Sequence, residues 1–330
     1  MFFHHNELTF SLFKKDLRSE HVSIFFAYFA TLKSSNLEKR QQRLKKPEWL
    51  KIKLTEGENY ASTSETVKAH NLHTICSSGR CPNIGECWGK GTATFMVLGE
   101  ICTRSCKFCA THSGRPLPVD REEPSRVAQS VRLMGVKYCV ITSVDRDDLP
   151  DGGAEHWAAV ISEVKRVNPS TAVEILIPDF DGRGDLIDTV LAANPDVVGH
   201  NLETIKRLTP SVRSRAQYDV SLKTLKHIAD RGAVAKSSLM LGLGETEDEI
   251  LEAMDDMLAA GCRLLTLGQY LQPTHKHLPV QAYIHPDKFT ELKEIALRKG
   301  FKYVESGPLV RSSYMAERAY EGMINPLNLP

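Results

Sequence analysis

The sequence has almost no net charge: 42 Lys and Arg stand against 41 Asp and Glu. Bulk electrostatics therefore give it no pull towards nucleic acid or a membrane surface. It also lacks the basic face interleaved with aromatics that a zinc-stabilised nucleic-acid-binding module needs. Cysteine is scarce, eight in 330 residues, which is too few for a disulfide scaffold. Long apolar runs are missing as well. The stretch from Val22 to Leu32 falls short of the roughly 20 residues that cross a bilayer. It follows Lys14, Lys15 and Arg18 as a signal peptide would, but Asp16 and Glu20 interrupt the basic region and no small-residue cleavage site follows. No internal repeat or low-complexity tract is present. The expectation is a cytoplasmic protein, with organellar targeting by the N-terminal extension as the alternative; its 42% hydrophobic residues suit one large domain with extensions or two smaller ones.

Composition shifts along the chain. Seven of the twelve Phe lie in residues 1–29, and from Glu38 to Lys53 the chain is basic, as a solvated linker or helix face is. Residues 1–44 thus read as an atypical extension, Phe-rich then basic, with disorder as one reading. Residues 45–90 form a second N-terminal extension, 91–285 a core, and 286–330 a C-terminal helix and extension.

Within the core, short apolar β-rich runs alternate with helical periods. The predicted strands are Thr94–Leu98, Lys137–Thr142, Val173–Ile177, Asp196–His200, Ser237–Leu241 and Arg263–Leu267. They are apolar without strict alternation, as in strands covered on both faces. Pro124 opens one helix and Gly135 ends it. Thr246-x-x-Glu249 is a capping box for another, whose apolar face is Ile250, Leu251, Met254, Met257 and Leu258 and which Gly261 stops. Six βα units in succession indicate an α/β fold: a parallel barrel or partial barrel, or a doubly wound open sheet. Either places the site at the C-terminal strand ends. The unusual polar residues do fall there: Cys102, Cys106 and Cys109; Asp145 to Asp148 with Gly152 and Gly153; Asn201 and Glu203; Gly242, Gly244 and Glu245; Gln269, Tyr270 and Gln272.

Six of the eight cysteines form two triplets, Cys76-x4-Cys81-x5-Cys87 and Cys102-x3-Cys106-x2-Cys109. Cys139 and Cys262 stand alone in apolar runs and read as small core residues. A structural zinc ion takes four closed ligands, and each loop supplies three. Three thiolates can hold three irons of a four-iron cluster and leave the fourth open to a small molecule. Two such triplets indicate two clusters with different tasks.

Cys102-Thr-Arg-Ser-Cys106-Lys-Phe-Cys109, with an aromatic before the last Cys, resembles the signature of radical S-adenosylmethionine (SAM) enzymes. That resemblance implies a partial parallel (β/α)6 TIM-like barrel with N- and C-terminal extensions. It also implies a 4Fe-4S cluster on Cys102, Cys106 and Cys109, with SAM on the open iron. Gly152-Gly153 is similar to the family loop that meets the methionyl group, and Gly242-Leu-Gly244 to the strand end near the adenosine. Asn201 and Glu203 are candidates for bonds to ribose or the amino group. The first triplet narrows the resemblance to the lipoyl synthase family. Arg80 to Asn83, Gly85 to Trp88, Gly91 to Met96, Asp145 to Gly153, His200 to Thr204, Gly268 to Pro273, His277 to Val280 and Ser306 to Tyr314 agree with it, over about residues 45–320. Met315 stands where His is often found.

The narrower resemblance implies an auxiliary 4Fe-4S cluster on Cys76, Cys81 and Cys87, with Ser313 of Arg311-Ser-Ser-Tyr314 as its fourth ligand. It further implies a sulfurtransferase that inserts two sulfurs, at C6 and C8 of a protein-bound octanoyl-lysine, with the auxiliary cluster as sulfur donor. The partners implied are octanoylated lipoyl carrier domains, namely 2-oxoacid dehydrogenase E2 subunits and the glycine cleavage H protein. A ferredoxin or flavodoxin would donate electrons, and an iron-sulfur carrier would reload the cluster. A biotin-synthase-like enzyme would share residues 102–109 but not need the first triplet. An iron-sulfur electron carrier would need no six-unit α/β core. The two triplets separate by substitution. Cys106→Ala is expected to abolish SAM cleavage, whereas Cys81→Ala keeps some SAM cleavage and inserts no sulfur. Lipoyl product from the Cys81 variant, read by mass spectrometry, would overturn the donor assignment.

Overall fold

Strands appear where the sequence carries its apolar runs. The computed structural model describes residues 44–51, 58–70, 72–90 and 92–324. The Phe-rich start therefore lies outside the described residues. The strands are β1 (His73–Thr74), β2 (Thr94–Val97), β3 (Ile101–Cys102), β4 (His112–Ser113), β5 (Tyr138–Ser143), β6 (Ala172–Leu176), β7 (Val197–Gly199), β8 (Ala235–Leu241), β9 (Leu264–Gln269) and β10 (Tyr303–Gly307). Eight of them form one sheet in the order β1-β2-β5-β6-β7-β8-β9-β10. Only β1 pairs antiparallel, with β2; every other pair in this sheet is parallel.

The parallel strands follow one another in chain order. A doubly wound sheet would reverse direction at a switch point, so this is the barrel alternative. The sheet ends at β1 and β10, which makes the barrel partial. The six expected strands form with ends shifted by no more than two residues. β10 adds a seventh parallel strand from the segment expected to hold only a helix and an extension. Of its five residues only Val304 is fully buried, so it carried little apolar signal.

Helices fill the βα connections for the reasons the sequence indicates. Glu123–Met134 has Pro124 in its first turn and ends on Gly135 in the left-handed conformation (φ 61°), open to a residue without Cβ at little strain. Glu247–Ala259 begins on the Thr246/Glu249 capping box. In Ala154–Val167 the residues Trp157, Val160, Ile161 and Val164 make one buried stripe against the strands. Cys139 and Cys262 are buried in the main core, as expected.

The last helix, Ala316–Ile324, covers the N-terminal end of the barrel. Ala319 packs on Val197 and Leu264, which begin β7 and β9, and the Tyr320 ring lies 5.4 Å from that of Tyr138, which begins β5. The same end holds a buried ion pair between Glu174 of β6 and Lys236 of β8, 2.6 Å apart, with the Tyr138 hydroxyl donating to the same carboxylate. Between β10 and this helix, residues 308–315 form a turn that presses on β9. A Cβ on Gly268 would stand 2.1 Å from the Val310 carbonyl oxygen. Gly268→Ala is expected to lower stability by about 1–3 kcal/mol, because backbone rather than a side-chain end must yield. Denaturant unfolding checks this.

Candidate active site

The Cys102 loop leaves β2 and runs across the C-terminal strand ends. Its first cysteine lies in β3, which pairs parallel with β4 and closes the loop at its base. Thr103 ties it to the loop after β5: its N–H donates to the Asp145 carbonyl at 3.1 Å, and its hydroxyl oxygen accepts from Asp147 N–H at 3.0 Å. Lys107 N–H donates to Val212 O, and Leu278 N–H donates to Lys107 O. His277 Nε2 donates to the Cys109 carbonyl at 2.9 Å, which leaves Nδ1 to accept from the Thr274 hydroxyl. Phe108, the aromatic of the motif, sits in an apolar cluster with Val212, Leu243 and Tyr270. Every strand-end loop from β7 to β9 thus holds some part of the cysteine loop.

Arg104, between the first two cysteines, makes the strongest of these ties. Its guanidinium is 4% exposed and forks onto two carboxylates. Nε and NH2 donate to Asp147 at 2.9 Å each, and NH1 and NH2 to Asp179 at 3.0 and 2.8 Å. Burial alone would lower the Arg104 pKa, but the two carboxylates outweigh it and hold it above the usual range. Burial likewise works to raise Asp179, and Arg104 instead holds it down to about 2. Such bidentate pairs fix direction as well as distance.

The thiols lie in surroundings that disfavour an uncompensated thiolate. Burial raises Cys102 to about 12 and raises Cys109 as well. Two backbone N–H groups, of Arg104 and Asp145, point at Cys102 Sγ at 3.4 Å. Ser214 Oγ lies 3.7 Å from Cys106 Sγ. A cationic cluster core would supply the missing positive charge, and N–H donors to sulfur are what cluster ligands receive.

Beside this loop stand groups suited to the two ends of an amino acid. Glu203, at the end of the His200-Asn-Leu-Glu run, faces Cys109 and accepts from Asn201 Nδ2 at 3.1 Å; burial raises its pKa. The positive charge of Arg213 works to lower the pKa of both Glu203 and Asp145, and its buried Nε has no partner. Its NH1 donates to Ser221 Oγ at 2.8 Å, and Ser221 in turn donates to His200 Nε2. Burial lowers His200 to about 4, so it is neutral, with Nδ1 donating to Ile177 O. Carboxylates for an amino group and an unpaired guanidinium N–H for a carboxylate fit SAM. Sequence reasoning missed Arg104, Asp179 and Arg213. The one available signal was charge: arginines within the cysteine loop and after the fourth core strand, against the Asp-rich stretch from 145.

The expected glycines divide differently. Gly152 and Gly153 precede helix Ala154–Val167 with partners close by, Leu149 O and the Asp151 carboxylate. A Cβ on Gly153 would meet Leu98 at 2.6 Å, and one on Gly152 would meet Phe180 at 3.0 Å. At Gly242 a Cβ would lie 2.2 Å from Gln269 Nε2 and 2.4 Å from Ala282 O. Gly244 faces the Gln281 side chain. At Gly152, Gly153 and Gly242 the close approach is by the chain itself. The loop from Gly242 to Glu245 is pinned by the Glu245 carboxylate, which accepts from both Gly242 and Leu243 N–H, and it presents Leu243 towards Phe108.

The other triplet lies outside the barrel, on the short helices Ile75–Ser78 and Ile84–Gly89 and the turn between them. Cys76, Cys81 and Cys87 share an apolar nest with Val67, Trp88, Tyr60 and Ile84. Burial raises all three thiols, and Cys87 reaches about 12. The 308–315 turn packs on this nest: Asn83 Nδ2 donates to Leu309 O at 2.7 Å, and the Tyr314 hydroxyl donates to Glu86 at 3.2 Å. Arg311 is half-buried near Cys81; partial burial lowers its pKa and Cys81 opposes this. A half-buried cation near these thiols suits an anionic cluster. Among the described residues no three Cys, His, Asp or Glu side chains converge as on a single ion; thiolates on three separate irons stand further apart than that.

Comparison with known proteins agrees with this geometry. A sequence profile of the radical SAM superfamily matches residues 96–257. The chain of Streptococcus suis SuiB bound to S-adenosylmethionine superposes with a TM-score of 0.51 at 11% identity, over 68% of this chain and 54% of that one. HydG, a maturase of the [FeFe]-hydrogenase, gives 0.51 at 13%, over 62% and 49%. At those identities the likeness is one of fold. The protein is a radical SAM enzyme of the partial-barrel class. A profile for the N-terminal domain of lipoyl synthase matches residues 25–81, further back than the motifs alone reach. Lipoyl synthase of Bacteroides fragilis strain YCH46 is 61% identical over 277 residues, covering 84% of this chain and 96% of the relative. That of Treponema denticola is 57% identical over 274 residues, covering 83% and 94%. The chain belongs to the lipoyl synthase family, sulfur-inserting enzymes that work with SAM and two 4Fe-4S clusters.

Arg104→Lys tests the tie between loop and barrel. A point charge cannot fork onto Asp147 and Asp179 together. On the reading that each triplet holds one cluster, iron content after reconstitution is expected to fall by about half.

Proposed function

We propose that this chain converts a protein-bound octanoyl-lysine into a lipoyl group by inserting sulfur at C6 and C8. In this proposal Cys102, Cys106 and Cys109 hold the cluster that binds SAM, and Cys76, Cys81, Cys87 and Ser313 hold the sulfur-donating one. Residues 45–90 and 286–330 together carry the donor site, and 91–285 the radical site. The observation that carries the proposal is the packing of the 308–315 turn, with Ser313 in it, onto the nest of the first triplet.

Bound in these nests, SAM with a reduced cluster would supply the radical for hydrogen abstraction, and the second cluster would supply sulfide. The chain's own residues bind, orient and exclude water. Glu203 and Asn201 would receive the amino end of SAM, and the unpartnered Arg213 Nε would donate to its carboxylate. His200, neutral and fixed between Ile177 O and Ser221, holds that loop in direction. Arg104 fixes the cysteine loop to the loops after β5 and β6. No general base is required of the protein; its task is to hold C6 and C8 between two fixed sites. Gly152, Gly153, Gly242 and Gly244 shape the loops around SAM.

The partners in this proposal are those the family resemblance implies. They are octanoylated carrier domains of 2-oxoacid dehydrogenase E2 subunits and of the glycine cleavage H protein, a ferredoxin or flavodoxin as reductant, and an iron-sulfur carrier to restore the donor cluster. A reducing cytoplasm suits thiols that must stay free. Among the described residues no helix is long and apolar enough to cross a membrane.

The test is mass spectrometry of an octanoyl-lysyl carrier peptide after one anaerobic turnover with SAM and reductant. Gain of two sulfurs is expected. Deoxyadenosine without sulfur gain would reopen the substrate. In the same assay Ser313→Ala should impair sulfur insertion while SAM still binds; full turnover would remove Ser313 from the ligand set.

A further inference from the structure

After β9 the chain runs from Tyr270 to His285 without helix or strand, as a strap over the Cys102 loop. Side chains stitch it to itself: the Tyr270 hydroxyl donates to Leu278 O at 2.7 Å, and Gln272 Nε2 donates to His277 O at 2.8 Å. His277, half-buried, has every polar atom engaged. Its N–H donates to Thr274 O at 3.1 Å, and its ring nitrogens meet Thr274 Oγ1 and Cys109 O, each at 2.9 Å. Cys109 O can only accept, so Nε2 carries a hydrogen. Thr274 Oγ1 accepts from Lys276 N–H at 3.2 Å, and its own hydrogen turns to Nδ1. Nothing in hydrogen abstraction or sulfur transfer uses this imidazole.

The strap reaches two places at once. On one side the imidazole holds the Cys109 carbonyl, Leu278 N–H donates to Lys107 O at 3.2 Å, and Leu278 and Val280 join Phe108 and Tyr270 in one apolar cluster. The last three residues of the cysteine motif are thus all gripped. On the other side Gln281 N–H donates to Gly242 O at 2.8 Å, and the Gln269 side chain accepts from Ile284 N–H at 2.8 Å. The Cys109 corner and the Gly242 loop therefore hang from one segment. Groups that hold a metal ligand from behind fix its direction, and losing one costs about 10–100-fold in metal affinity or activity.

We propose that His277 is a positioning residue for the cluster on Cys102, Cys106 and Cys109. Its Nε2–H holds the Cys109 carbonyl, Thr274 sets the ring, and the strap carries that setting to the Gly242 loop. This rests on the proposed assignment of the three cysteines to the SAM-binding cluster. His277 binds neither iron nor SAM and moves no proton in the reaction.

His277→Leu removes the donor, and His277→Gln keeps an N–H at similar reach. The reconstituted, reduced full chain is titrated with the iron chelator bathophenanthroline. The electron paramagnetic resonance signal that changes on adding SAM reports the cluster in question. The chelator concentration that strips this signal is expected to fall about tenfold in His277→Leu. The KM for SAM should rise, and the signal that ignores SAM should stay. His277→Gln should restore most of the retention. Wild-type retention in the Leu variant would overturn the proposal. Equal loss in the Leu and Gln variants would overturn it too, since packing alone would then explain the effect. Should His277→Leu fail to fold, Thr274→Val decides: it leaves the imidazole in place but frees it to turn. Easier stripping of the same signal supports the proposal, and wild-type retention refutes it. Cys109→Ala is the separate check on the cluster assignment. If that variant keeps the SAM-responsive signal, the assignment fails whatever His277 does.

Discussion

One buried guanidinium orders the Cys102 half of the site. Arg104 sits between two cysteines in a loop with no core of its own, and it meets two carboxylates that belong to different barrel loops, Asp147 and Asp179. Breaking a buried pair by removing one partner leaves an uncompensated charge, at about 3–5 kcal/mol. The cysteine loop, the loop after β5 and the loop after β6 therefore share one geometry or none. A loop this short could present three thiols in many ways; the fork on Arg104 selects one. The remaining ties, through Thr103, His277 and Phe108, then fasten the loop to the other strand ends.

The two triplets are built on different physical terms. The Cys102 loop rides on a large barrel core and borrows its rigidity. The Cys76 triplet has only short helices and a small apolar nest, with burial pushing every one of its thiols towards the protonated form. Metal binding and local folding are strongly coupled in such a nest, because the ligands must lose protons together when the site forms.

Much of this was legible in the sequence. The strands, the Gly135 stop and the Thr246 capping box are local signals, and local signals survive folding. The placement of Cys102, Asp145, Asn201 and Glu203 at strand ends followed from the parallel topology. Three things were not legible. β10 buries one residue fully and carries no apolar run. The fork from Arg104 to Asp179 joins residues 75 positions apart, and nothing in either neighbourhood announces the other. The glycines at 152, 153 and 242 read as room for a ligand, but the approach that forbids a Cβ there comes from Phe180, Leu98, Gln269 and Ala282. Close packing by a ligand and close packing by the chain leave the same mark on a sequence.

The turn between β10 and the last helix has a consequence of length. At one end it is fastened to the sheet where Gln269 N–H meets Pro308 O, and at the other to the barrel floor through Ala319 on Val197 and Leu264. Between those anchors it carries Arg311, Ser313 and Tyr314 past the Cys76 nest. The segment acts as a ruler cut to one span. A residue added to or removed from an exposed loop elsewhere changes only the loop. The same change between Gly307 and Ala316 would shift the phase of every side chain facing the nest, so in this family the spacing of that segment should vary less than its composition.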